Sequence, residues 1–201
     1  MMPRFFSLLP IFASVVLVQQ VNTSRGGVVT PPLPKPRFVL TDTSGAAFDF
    51  RQRTDRYVTL LFFGYRNCPD QCPMHMANLG GALKNLPAGT TDQVKLVFVT
   101  TDPARDSPAA VRCWLDLFDR RFTGLTGTER AIEAVERAAD VSSATKRDQP
   151  TATTGWRTRI LCSRTPKDNL AHVIYPGGVS KDDWVHDLPL LIKETWMRRP
   201  E

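Results

Sequence analysis

From Phe38 onward the chain alternates between short apolar runs and stretches in which apolar residues recur every three or four positions. "FVLTDTSGAAFDF" holds two strand-like pieces around the turn signal "DTSG", which predicts a hairpin. "YVTLLFFG" (57–64) and "VKLVFVTT" (94–101) are continuous apolar runs of strand length, as expected for strands buried on both faces. After Cys72, Pro73 reads as a first helical residue, and Met76, Leu79, Leu83 and Leu86 mark one helix face. "DSPAAVRCWLDLF" predicts a second helix capped by Ser107, with Val111, Trp114, Leu115 and Phe118 facing inward. A short strand in "RFTGLTGT" precedes a helix capped by Thr128 with Ile132, Val135 and Ala139 on its apolar side. The polar stretch 142–155 has no periodicity and reads as a surface loop. "TRILCS" and "LAHVIYP" are strand candidates, and a last helix from about Ser180 turns Trp184, Leu188, Leu191 and Ile192 to the core, with a kink expected at Pro189. This order of elements predicts an α/β fold with a mixed sheet and an N-terminal hairpin.

The first residues follow another pattern. Residues 5–18, "FFSLLPIFASVVLV", form an apolar run behind Arg4 and ahead of polar residues, the layout of a secretory signal. The run is short against the ~20 residues of a spanning helix, so residues 1–24 are read as a signal peptide or a short membrane anchor. Pro31, Pro32, Pro34 and Pro36 then predict a stiff, extended linker over 25–36, with the folded domain at 37–197. A chain of 201 residues, 42% hydrophobic and 23% charged, can bury a core of its own. The net charge of +6 comes from scattered basic residues without interleaved aromatics, which gives no nucleic-acid surface. Location outside the cytoplasm is expected, anchored or secreted, in a periplasm-like or mitochondrial intermembrane-facing compartment.

That setting bears on Cys68 and Cys72, which lie between an apolar strand and a helix. Cys72 reads as the residue at the helix cap, where free N–H groups favour a thiolate and lower its pKa from the free value of ~8.5. At helical spacing the two β-carbons would lie roughly 5–6 Å apart, against ~3.5–4.5 Å in a disulfide. A bridge would require the loop to tighten, whereas two soft sulfurs suit Cu(I) as they stand. Metal, disulfide and inert buried cysteines are the three readings. Cys113 and Cys162 fit the last.

The combination of "FFGYRNCPDQCPMHMANL", "VFVTTDPARDSP", "FTGLTGT", "LAHVIYP" and "HDLPLL" resembles the Sco/SenC family, over about residues 37–195. The resemblance implies a thioredoxin-like fold, membrane tethering, bound copper and a part in cytochrome c oxidase assembly. It implies that Cys68 and Cys72 are both the metal ligands and the redox-active pair, and that the partner is an oxidase copper-site subunit or another copper or thiol protein. A metallochaperone is the first expectation. The alternatives are a thiol-disulfide oxidoreductase that keeps a partner's cysteines reduced, and a docking relative without chemistry. The family's third copper ligand is a histidine, and in this sequence its place falls on Trp156, or on Arg157 if the register slips by one. Neither side chain can donate an electron pair to a metal. His75 is expected to point to solvent or to lie near the sulfurs, His172 to be a satisfied strand residue, and His186 a surface or packing residue; His75 and His172 are the substitutes considered for the missing ligand. Asp102, Arg105 and Asp106 read as a structural ion-pair and capping cluster near the cysteine loop.

Overall fold

In the computed structural model, residues 24–141, 160–164, 169–175 and 177–193 are described. Its elements, in chain order, are β1 (Gly27–Pro34), β2 (Val39–Asp42), β3 (Ala47–Asp49), α1 (Phe50–Arg53), β4 (Val58–Gly64), α2 (Gln71–Asn85), α3 (Ala88–Thr91), β5 (Val94–Thr100), α4 (Pro108–Asp116), β6 (Thr123–Thr126), α5 (Glu129–Ala138), β7 (Ile160–Arg164), β8 (Leu170–Tyr175) and α6 (Lys181–Lys193). The strands form one sheet in the order β1-β8-β7-β4-β5-β6-β2-β3. The β4, β5 and β6 strands are parallel, and the remaining pairings are antiparallel. This is the mixed, thioredoxin-like α/β arrangement expected, with β2 and β3 as its hairpin.

Every residue of β4 is buried, because each face of the sheet carries its own core. Val58, Leu60 and Phe62 point to one side, with Leu96 and Phe98 of β5, and meet Met76, Leu79 and Leu83 of α2, Val111 and Leu115 of α4, and Trp184, Leu188 and Leu191 of α6. Leu61 and Phe63, with Val97 and Val99, point to the other, against Leu40, Phe48, Phe50 and the α5 residues Ile132 and Val135. The period-two alternation of a strand thus divides a uniformly apolar sequence between two layers. Ser107 and Thr128 cap α4 and α5, accepting from the N–H groups of Ala110 and Ala131. The last helix, α6, continues on both sides of Pro189.

The proline-rich segment departs from its expectation. It is extended, as the prolines require, but β1 pairs with β8 at both of its ends rather than standing apart as a spacer. An outermost strand has one side that needs no donors, so it tolerates Pro31, Pro32 and Pro34. The chain ahead of β1 is fastened too. Asp187, fully buried, accepts hydrogen bonds from Tyr175 Oη (2.6 Å), Ser24 Oγ (2.9 Å) and the Arg25 N–H (2.8 Å). Arg25 also pairs with Asp183, whose carboxyl is held down to about 2, chiefly by that hydrogen bond. Residues 5–18 and the polar stretch 142–155 lie outside the described residues. Among the described ones, no helix is long and apolar enough to cross a membrane.

Gly64 closes β4 where the sheet meets α2. A Cβ at this position would lie 2.7 Å from Phe62 Cε1 and 2.9 Å from Cys72 Sγ, inside any real contact distance. Gly64→Ala is therefore expected to lower stability by ~1–3 kcal/mol through overpacking, read as a drop in the urea midpoint. Gly89→Ala, with nothing within 4 Å of its Cβ, should not lower that midpoint.

Candidate thiol site

The site is assembled where β4 ends and α2 begins. Asp70 occupies the N-cap position of α2, but its side chain makes no capping hydrogen bond. The sulfur of Cys68 takes that place: the Cys72 N–H donates to Cys68 Sγ at 3.4 Å. Burial alone would raise the Cys68 pKa, yet hydrogen bonds from the N–H groups of Cys72 and Asp70, from the Cys72 side chain and from the Gln71 N–H outweigh it and hold the thiol below its ordinary value. A negative sulfur at the start of a helix is also favoured by the helix dipole.

Cys72 is one residue inside the helix and 3% exposed, packed against Gly64 and within the core that includes Phe62 and Met76. Burial pushes its pKa well up, and the neighbouring Cys68 and Asp106 add to the shift, against one hydrogen bond from the Tyr65 N–H. The expectation that Cys72 carries the thiolate is thus corrected. Helix-end stabilisation acts on the sulfur that lies in front of the first turn, and Cys72 faces the core, where desolvation dominates. Both cysteines are free thiols.

Two neighbouring loops hold this arrangement. Tyr65 follows β4, shares a hydrogen bond with Cys68, and has its phenol pKa raised by burial first and by the two sulfurs after it. Asp106, 1% exposed, accepts from the Arg66 N–H (2.9 Å) and Thr100 Oγ1 (2.7 Å), with Arg66 Nε 3.6 Å away. It therefore ties the cysteine loop to the end of β5. Arg105 pairs with Asp102, so the cluster is structural as expected, but its two carboxylates serve different arginines. Nothing in the sequence pattern singled out Tyr65 or Arg66: Tyr65 meets Cys68 only through the turn between them, and the partner of Arg66 comes from another loop.

His75 is buried at 1% exposure rather than turned to solvent. Its Nε2 accepts from the Gly178 N–H at 3.2 Å, its ring leans on Phe62 with centroids 5.7 Å apart, and its Nδ1 has no partner among the described residues. Burial lowers its pKa, which favours the neutral ring over the imidazolium. His186 bonds Asp187 through Nδ1 at 2.6 Å, and His172 lies in mid-strand on β8. Among the described residues no three His, Cys, Asp or Glu side chains gather as a metal-holding group. Trp156 and Arg157 lie outside the described residues. Cys113 is exposed, contrary to its reading as a core cysteine, because the inward face of α4 is taken by Val111 and Leu115.

The split between the two sulfurs predicts their reactivity. Alkylation at Cys68 should rise with pH and level off below the ~8.5 of a free cysteine, since its thiolate forms earlier. Cys72 should stay unmodified through that range in the folded protein. Peptide mapping after iodoacetamide pulses between pH 6 and 9 checks this, with exposed Cys113 mapped alongside as a label-accessibility control. Faster modification of Cys72 than of Cys68 would reverse the assignment.

Comparison with known proteins agrees with this geometry. The SCO1/SenC family model matches residues 30–161, more than half of the chain. A putative copper-binding protein of Stutzerimonas stutzeri is 34% identical over 103 residues, which is 51% of this chain and 50% of that protein. The mitochondrial SCO1 protein of Saccharomyces cerevisiae is 37% identical over 110 residues, 55% of this chain and 37% of its own. The matches thus span half or less of the length of these relatives. The solution structure of apo Sco1 from Thermus thermophilus superposes with a TM-score of 0.70 at 26% identity, covering 84% of this chain and 97% of that one. With the cysteine pair set between a buried strand and a helix start, and with the family model matched across that site, the chain belongs to the SCO1/SenC family.

Proposed function

We propose that this protein handles copper for the assembly of a respiratory oxidase copper centre, carrying Cu(I) as cargo between Cys68 and Cys72. The observation that carries the reading is the sulfur pair at the start of α2, one member of it already held toward the thiolate. The donors fit the cargo: two soft sulfurs can hold Cu(I) in a two-coordinate arrangement without an imidazole, whereas Cu(II) prefers nitrogen and oxygen donors. Binding then requires Cys72 to give up its proton, so uptake is favoured as pH rises. Family membership and the copper-binding relative support this reading. The partner is an oxidase copper-site subunit or another copper or thiol protein. Residues 5–18 deliver the domain to an extracytoplasmic membrane face.

A second reading is favoured by the unequal sulfurs. The half-buried Cys68 thiolate attacks one sulfur of a partner disulfide and expels the other as a thiolate. Cys72 passes its proton to solvent base and attacks Cys68 Sγ, releasing the second partner thiolate. The Cys68–Cys72 pair is oxidised by two electrons and the partner cystine is reduced.

Under reducing conditions the purified protein should bind about one Cu(I), by analogy with two-thiolate sites, and the Cys68→Ser, Cys72→Ser double variant should lose it. Metal analysis after a Cu(I) chelator challenge reads the result, and undiminished copper in the double variant sinks the proposal. Cu(II) binding should be weak, and Trp156→His should strengthen it by about tenfold or more, with Arg157→His as the register control. Tight Cu(II) binding by the unaltered protein with an imidazole-type spectrum would mean that His75 or His172 supplies a ligand after all.

A further inference from the structure

The position of Ser24 and Arg25 fixes the end of the domain from which the N-terminal segment leaves. Both residues are bound to Asp187 in the middle of α6, Arg25 also pairs with Asp183 in its first turn, and Ser24 Oγ is 3.1 Å from Tyr175 Oη, at the last residue of β8. Gly26 is pressed against β8 so closely that a Cβ there would lie 2.4 Å from Val173 Cγ1. The end of β8 is also the thiol end of the sheet. A Cβ on Gly177 would lie 3.3 Å from Gln71 Oε1 in the first turn of α2, and the Gly178 N–H bonds His75 of the same helix. Two strands, β8 and β7, lie between β1 and β4, so the exit lies about three strand spacings, ~14 Å, from the strand that leads to the cysteines.

The opposite end of the molecule is defined as well. The Val58 N–H at the start of β4 donates to the Gln93 carbonyl, and Gln93 Nε2 donates to the Gly89 carbonyl on α3. Gly89 is therefore one strand length, ~20 Å, from the thiol end. Between Val18, the last residue of the apolar run, and Ser24 there are six residue steps, which span at most ~20 Å when fully extended.

We infer that the Ser24–Gly26 clasp turns the thiol end of the domain toward the lipid bilayer that holds residues 5–18, so that Cys68 meets its partner at the membrane surface. A partner that fits this placement presents its own sulfur or copper site close to the bilayer. The inference rests on the reading of residues 5–18 as a membrane-inserted segment, and adds an orientation to it. Without the clasp, the tether would continue down β1 and the domain would tumble on a longer leash. With it, the reactive end and the point of attachment coincide.

The test uses the full chain in phosphatidylcholine vesicles that carry an acceptor fluorophore on a fraction of the lipid headgroups. A clickable amino acid placed at Asn67 or at Gly89 takes the donor dye, so the native cysteines stay in place; both positions are exposed. Energy transfer should be stronger from position 67 than from position 89 by roughly threefold or more, given a height difference of ~20 Å. A Gly/Ser insert of about 20 residues between Thr23 and Ser24, spanning ~25 Å as a flexible coil, should remove most of that difference. Equal or reversed transfer in the uninserted chain overturns the inference while leaving membrane insertion standing, and so does a difference that survives the insert. Failure of the chain to co-float with the vesicles overturns membrane insertion and the inference together.

Discussion

A sulfur atom stands where the side chain of a helix cap usually stands. Cys68 Sγ accepts from the Cys72 N–H, while Asp70, whose side chain would ordinarily serve, makes no capping bond. The start of α2 therefore depends on the chemical state of one cysteine. Loss of an N-cap is worth ~1 kcal/mol, so a change at this sulfur, whether metal binding or disulfide formation, acts on the helix as well as on the thiol. The Tyr65 phenol and the Asp106 clasp keep the sulfur in front of those N–H groups.

From this cap comes the inequality of the pair. Two cysteines four residues apart would be alike in water, but here one sulfur lies in front of the helix and the other inside the core. Backbone donors favour the charge on Cys68, and desolvation with the field of Asp106 opposes it on Cys72. Groups this closely coupled titrate as a unit, and the unit holds one proton more firmly than the other. The two proposed uses, metal carriage and thiol exchange, both begin with one available thiolate and finish by removing the proton from the second sulfur.

Much of the fold was legible in the apolar pattern. The runs at 57–64 and 94–101 are central strands, and Ser107 and Thr128 cap the helices they precede, because these signals are local and depend on burial period and hydroxyl placement. Contacts that join distant segments were less visible. Prolines identified 31–36 as extended without revealing that β8 lies beside β1, and the buried position of His75 depends on Gly178, far along the chain. The cysteine pair was found by its residue types and setting. Its polarity is not legible there, because Pro73 reads as a first helical residue and so puts Cys72 at the cap, whereas α2 begins at Gln71 and leaves Cys68 in front.

The two margins of the sheet have a consequence for how other proteins can hold this one. One margin is β1, interrupted by Pro31, Pro32 and Pro34, and the other is β3, only three residues long. Among the described residues, prolines remove donors from the second half of one margin and the other is short, features that work against edge-to-edge self-association. Backbone-mediated strand addition, which is tolerant of sequence, finds few donors along Pro31–Pro34. A partner that reads side chains on the loops at the strand ends, as the proposed function has it, could be changed for another by substitutions there while the sheet stays as it is.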